Sequence, residues 1–261
     1  MTWNVKTGGR DPGRPADRLD AIIAVIDRER PDVLALQELR DFGVRGGRRM
    51  ASLAAAVGMD AHLAGSVFGQ PVAVLVRPPR RMTRRAAVRW RLHHAAAVAA
   101  VPTSAGPLTV VCTHLNPFSP ERRRREARWL AGRYASRTPL VALAGDLNTL
   151  DPDADHAERL ARLAPPYRHR HVAADGTADT RAIAAFLEAG LVDLWAVAGE
   201  GDGCTAPTTQ GGGAEFSGMR LDYVLGSRPL AARAARARVV RGGAAEYASD
   251  HYPVAVDLDL A

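Results

Sequence analysis

The spacing of apolar residues switches along the chain between a helical and an extended period, and each switch marks an element. Leu19, Ile22, Ile23 and Ile26 fall at i, i+3, i+4 and i+7, which predicts an amphipathic helix stopped by Pro31. Met50, Leu53, Ala54 and Val57 repeat that spacing over 48–57, with Gly58 as the C-terminal cap. Ser119 and Pro120 open a third helix, whose buried face is Ala127, Leu130 and Tyr134 and on whose exposed side Arg122–Arg125 and Arg128 mainly lie. Further helices are expected over 156–163 and 180–189, the latter closed by Gly190. Short apolar runs predict strands at 2–5, 32–36, 72–76, 88–90, 95–101, 108–112, 140–144, 221–225, 238–241 and 254–260. The three runs between 88 and 112 follow one another without a helix and predict antiparallel pairing. Gly8–Pro15, the polar stretch Pro165–Asp179 and the Gly-, Thr- and Pro-rich stretch Glu200–Gly218 read as loops. Neither a repeat nor a linker interrupts the pattern, so one domain over 1–261 is expected.

Composition narrows this picture modestly. Aromatic residues are only 5% against 47% apolar overall, so the core is expected to be built from Ala, Val and Leu. No run of about 18 apolar residues occurs, which excludes a membrane-spanning helix. The first residues, MTWNVKTGGRD, carry no apolar signal region, and a cytoplasmic location is expected. Cys112 and Cys204 are too isolated for a disulfide framework or a zinc spacing. The net charge is +7, and Lys6 is the only lysine. Attraction to a polyanion such as nucleic acid and a plain solvated basic surface both fit that charge. The seven arginines of 77–91 fit both readings equally.

The chemistry sits where the strands end. The run 140–144 breaks at Gly145 and delivers Asp146 and Asn148. Asn4, Glu38, His114, Asp222 and the pair Asp250-His251 stand at the ends of other strands. In a sheet-based fold such positions converge on one edge. Asp, Glu, Asn and His together suit a hard divalent cation held through oxygen, with imidazoles left for protons or phosphate oxygens.

These residues fall within TWN, LQE, THL, GDLN, LDYVL and SDH, in that order from Thr2 to Pro253. The series resembles the endonuclease/exonuclease/phosphatase superfamily, which includes deoxyribonuclease I, exonuclease III, neutral sphingomyelinases, inositol polyphosphate 5-phosphatases and deadenylases. The resemblance implies an α+β fold, a four-layer α/β/β/α sandwich of two packed mixed sheets flanked by helices. It implies Mg²⁺, with Mn²⁺ as a substitute, held by Glu38 with Asn4 and Asp250. Asp146 would orient or deprotonate the attacking water, and Asn148 would hold a phosphate oxygen or a second metal. His251 would contact the phosphate with its ring set by Asp222, and His114 would serve as a second imidazole. The THL segment departs from the abasic-site endonuclease branch, which carries a tyrosine-containing segment there.

His94, Arg181 and Phe118 are weaker candidates for substrate binding; a half-buried edge histidine, a surface arginine and a core phenylalanine are the plainer readings. The favoured activity is Mg²⁺-dependent hydrolysis of phosphate esters, most simply by a phosphodiesterase or nuclease acting as a monomer. A phosphatase or diesterase for a small phosphorylated metabolite or lipid head group is the alternative. A non-catalytic binding protein on the same scaffold has no need of the whole acid, amide and imidazole set. A Rossmann-type enzyme is disfavoured because no G-x-G-x-x-G follows the first strand.

Overall fold

The computed structural model describes residues 1–11, 13 and 16–260; Pro12, Arg14 and Pro15 of the expected Gly8–Pro15 loop, and Ala261, lie outside the described residues. Twelve strands run in chain order as β1 (Thr2–Asn4), β2 (Val33–Gln37), β3 (Asp60–Ala64), β4 (Val72–Val76), β5 (Arg84–Val88), β6 (Ala96–Val101), β7 (Leu108–His114), β8 (Leu140–Asp146), β9 (Leu191–Asp193), β10 (Asp222–Ser227), β11 (Ala234–Val239) and β12 (Val254–Leu258). The helices are α1 (Leu19–Glu29), α2 (Arg48–Ala56), α3 (Pro120–Tyr134), α4 (Ala157–Arg162), α5 (Pro165–Arg168), α6 (Arg181–Glu188), α7 (Leu194–Ala198) and α8 (Arg228–Ala231). None is long and apolar enough to cross a membrane among the described residues.

The strands form two six-stranded mixed sheets, ordered β11-β12-β1-β2-β4-β3 and β5-β6-β7-β8-β10-β9. Each contains one parallel pair, β1 with β2 and β7 with β8. Three apolar clusters separate four layers. Leu34, Leu36, Ala73 and Leu75 face Ile22, Ile26 and Leu53 of α1 and α2. Val141, Leu143 and Leu225 face Leu130, Ile183 and Phe186 of α3 and α6. Between the sheets lie Ala35, Val72, Val74, Val110, Ala142, Ala144 and Val224. The α/β/β/α sandwich implied by the motifs is thus the fold, and its inner layer is indeed largely Ala and Val.

Strand alternation then dictates where the polar ends point. Ala142 and Ala144 face the space between the sheets, so Asp146, two residues on, faces it too. The same parity carries His114 after Val110 and Cys112, and Asp222 before Val224. In β1, Trp3 is buried on the outer side, which leaves Asn4 on the inner one.

Several elements differ from the sequence expectation. β8 does not break at Gly145 but runs on to Asp146. Asp222 opens β10 rather than ending a strand; β10 is antiparallel to β8, so its start reaches the same edge, with Asp222 opposite Asp146. β5 lies over 84–88 rather than 88–90, and β11 over 234–239 rather than 238–241. The stretch 165–179 contains α5 and a bridge between Val172 and Ala178.

Candidate active site

One carboxylate oxygen collects most of the site. Asn4 Nδ2 donates to Asp146 Oδ2 at 2.9 Å and lies 3.0 Å from Glu38 Oε1, so one amide ties the two sheets together. His114 Nε2 lies 3.4 Å and His251 Nε2 3.8 Å from the same Asp146 oxygen. The other oxygen, Oδ1, accepts the backbone N–H of Asn148 at 2.9 Å. That closes the Asp-x-Asn turn and leaves Oδ2 aimed into the site. Asn148 adopts a positive φ of 50° and its side chain donates to the Leu115 carbonyl at 3.2 Å.

Glu38 reaches the site by breaking the strand pattern. Alternation alone would send it outward with Leu34 and Leu36, but its φ of 59° turns the chain back. A non-glycine residue in this conformation costs about 1–3 kcal/mol, so its neighbours must hold it there. They do so with Asn4 Nδ2, the Thr7 backbone N–H at 2.9 Å and Gln70 Nε2 at 3.1 Å.

His251 and Asp222 form a buried pair, with Nδ1 2.7 Å from Oδ2. Burial pulls the ring's pKa down, yet the charges of Asp222 and Asp146 outweigh it and hold His251 protonated well above 6.5. Asp222 does not pair with Arg220, which is engaged by Asp193 and Asp151. Phe216, from the long 200–218 loop, sets its edge against the His251 ring at 5.1 Å between centroids. Asp250 is buried beside Glu38; burial, with the Glu38 charge adding to it, raises its pKa, and Lys6 Nζ at 3.3 Å opposes the rise.

The pair gives a pH prediction. With a raised folded pKa, the protonated His251 contributes stability that is fully present below pH about 6.5 and is lost as pH rises through the elevated value, while burial raises the Asp222 pKa and costs stability wherever that acid is ionised. In Asp222→Asn the His251 pKa falls. The alkaline limit of the activity profile should then move down by roughly 1–3 pH units. A kcat–pH profile of the two proteins checks this; superimposable profiles would rule the pair out as the titrating unit.

The loop after His114 rests on an interior arginine. Arg123 is fully buried and donates to the carbonyls of Asn116 at 2.9 Å and Arg170 at 2.6 Å. Burial lowers its pKa to about 10, and Asp179 at 3.6 Å works against that fall. Arg123→Ala should lower stability by about 3–5 kcal/mol, because it leaves the Asn116 and Arg170 carbonyls without their buried donor and Asp179 with Arg181 alone. Arg123→Met combined with Asp179→Asn should recover part of the loss. Urea unfolding of the three proteins measures it.

The weaker candidates separate. His94 is buried, its ring 4.4 Å from that of His114, and burial depresses its pKa. Phe118 is 56% exposed on the rim, edge-on to His93. Arg181 is taken up by Asp179 and Glu121 instead of by the acid and imidazole groups. Sequence reasoning missed Gln70 and Lys6 as partners of the acids, and Thr205, whose hydroxyl accepts the Asp222 backbone N–H at 3.3 Å. Only Lys6 left a signal, as the lone lysine two residues after Asn4.

Glu38 and Asp250 offer oxygens that fit a hard divalent cation; the Asn4 side-chain oxygen accepts the Lys6 backbone N–H at 2.9 Å and would join them by turning over the amide that faces Glu38. A half-buried Glu38 beside a buried Asp250, with the partly exposed Lys6 paired to Asp250, leaves an acidic pair that a cation would neutralise. Asp146, Asp222 and His251 also bring ligand atoms within 4.8 Å of one another, but the Asp222–His251 hydrogen bond already occupies Nδ1.

A sequence model of the Endonuclease/Exonuclease/phosphatase family matches residues 1–251. Among curated proteins none matches the chain. An endonuclease/exonuclease/phosphatase from Bacteroides vulgatus superposes with a TM-score of 0.74 at 15% identity, covering 100% of this chain and 97% of that one. A mannosyl-6-phosphatase from Bacteroides thetaiotaomicron gives 0.71 at 14% identity, covering 98% and 97%. TDP2 from Caenorhabditis elegans gives 0.65 at 17% identity, covering 97% and 72%. At these identities the superpositions speak for the fold.

Proposed function

Since the chain belongs to the endonuclease/exonuclease/phosphatase family and is a metal-dependent hydrolase of phosphate esters, we propose that it is a Mg²⁺-dependent phosphodiesterase, with nucleic acid as its polymeric substrate. The observation that carries this reading is the crowding of Asn4, His114 and His251 onto Asp146 Oδ2, with Glu38 one amide away. Glu38, Asn4 and Asp250 would hold the cation. When bound, it supplies positive charge for the phosphate oxygens.

The chain's own groups do the rest. Asp146 orients the attacking water in line with the ester bond and takes its proton. Asn4 holds that carboxylate in place between the sheets. His251, kept protonated by Asp222 and Asp146, donates hydrogen bonds to the oxygens that gain charge as the bond breaks. His114 offers a second imidazole beside Asp146 Oδ2. Asn148 completes the polar wall for the phosphate.

A phosphatase of a small phosphorylated metabolite is the second reading, favoured by the likeness to the mannosyl-6-phosphatase over nearly its whole length. A panel of plasmid DNA, single-stranded DNA and RNA, an aryl phosphodiester and an aryl phosphomonoester decides between them, with Mg²⁺, Mn²⁺ or EDTA. Polymer cleavage abolished by EDTA and in the Asp146→Ala protein supports the first reading. Turnover of the monoester alone, equally sensitive, replaces it with the second.

A further inference from the structure

A line of four rings leads from the surface into the site. Phe68 stacks on His93 at 4.3 Å and 14°, His93 meets His94 at 4.5 Å, and His94 lies 4.4 Å from His114. The outer end stands open: Phe68 is 59% and Phe118 56% exposed, and Phe118 stands edge-on to His93 at 5.8 Å. The loops that carry both rings are tied down. The loop carrying Phe68 is tied at Gln70 to Glu38, and the Asn116 side chain accepts the backbone N–H groups of Phe118 and Ser119. Basic groups surround the rings. Arg170 lies over Phe118 at 5.4 Å, Arg89 packs on the backbone at Gly65, and the charge of Arg122 acts on His93.

We infer that Phe68, His93 and Phe118 form a stacking subsite for an unpaired nucleobase flanking the scissile phosphate, with Arg89, Arg122 and Arg170 meeting the neighbouring phosphates. The inference rests on the phosphodiesterase reading and narrows it to single-stranded nucleic acid. Any base offers a face to an exposed aromatic ring, whereas the bases of a duplex already have both faces covered. The mix of rings and guanidinium groups fits a polyanion carrying planar groups. A lipid surface would call for a continuous apolar patch, and here His93 and Arg170 interrupt it. None of these three rings stands in a motif, because the subsite is assembled from three loops.

The test compares kcat/KM on a single-stranded oligothymidylate or oligouridylate with that on the same strand carrying base-free residues beside the cleaved phosphate. Binding of both strands to the Asp146→Ala protein is followed by fluorescence anisotropy. The base-bearing strand should be favoured roughly ten-fold in both assays. Phe68→Leu and Phe118→Leu, each preserving bulk on an exposed position, should bring that ratio close to one. Asp146-dependent cleavage of both strands at equal rates would overturn the subsite and leave the phosphodiesterase reading standing. Turnover of a small phosphomonoester with no strand cleaved or bound would overturn both. Ring-dependent binding to vesicles of phosphatidylcholine and phosphatidylglycerol, without any preference for bases, would overturn it in favour of a lipid.

Discussion

Asp146→Ala protein is expected to fold normally and to lose phosphate-ester hydrolysis by two to four orders of magnitude. In the proposed reading the residue handles the water, and general-base help of this kind is worth roughly 10²–10⁴-fold, or about 3–5.5 kcal/mol of barrier. The effect should fall on kcat, since the group acts in the transition state and not chiefly in holding the substrate. Asp146→Asn is the sharper variant. Its amide oxygen still accepts the Asn148 N–H at the position of Oδ1, so the turn survives, while the charge is gone. His251 loses one of the two acids that hold it protonated, and Asp222 loses a like charge that raises its own pKa. The new amide nitrogen stands where Oδ2 accepted from Asn4 Nδ2, two donors face to face, and losing that bond offsets the relief of repulsion between the acids, so thermal stability should stay within about 1–2 kcal/mol of wild type while turnover collapses. A kcat within ten-fold of wild type for Asp146→Asn would remove the residue from the reaction.

The parts of the site legible in the sequence are those where a polar residue ends an apolar run. Asp146, His114 and Asn4 continue the inward parity of their strands, so one rule both finds them and aims them. Glu38 is found by the same rule but aimed by a different one, since only its positive φ brings it round, and nothing in Leu36-Gln37-Glu38 announces that turn. Gln70 was invisible because it comes to Glu38 through the pairing of β2 with β4, across 32 residues of chain.

At the level of elements, the central strands stood out because both their faces are buried. Among the described residues β3 pairs only with β4, and it mixes exposed, half-buried and buried positions, so its sequence, Asp60–Ala64, has no clean alternation. β5 is an edge strand with exposed arginines, and the apolar Trp90 that drew the expected strand toward 88–90 is 88% exposed beyond its end. Edge strands commonly carry charge to discourage further pairing, and this one is written in the residues least like a strand. The ring subsite is the extreme case. Its members are ordinary loop residues until three connections meet at the rim.

Gly145→Ala is expected to cost above roughly 4 kcal/mol, from a single methyl group. Gly145 lies in register between Thr113 of β7 and Tyr223 of β10, in the middle of the second sheet. A Cβ there would sit 1.8 Å from the Thr113 carbonyl oxygen. Backbone cannot yield as a flexible side chain can, so β7 and β8 would have to part at the register point just before His114 and Asp146. Its φ of 154° adds strain for any residue with a side chain. Gly132 provides the control: it is exposed in α3, and a Cβ there meets nothing within 4 Å. Alanine at that position should be neutral or stabilising by up to about 1 kcal/mol. The melting temperature of Gly145→Ala should fall by at least about 8 °C, with little soluble protein recovered, while Gly132→Ala holds or rises. Whatever Gly145→Ala protein remains folded should also hydrolyse phosphate esters poorly, because the distortion falls between two residues proposed to face the same phosphate. Equal melting temperatures for the two variants would mean that β7 and β8 are not packed this closely where the site begins.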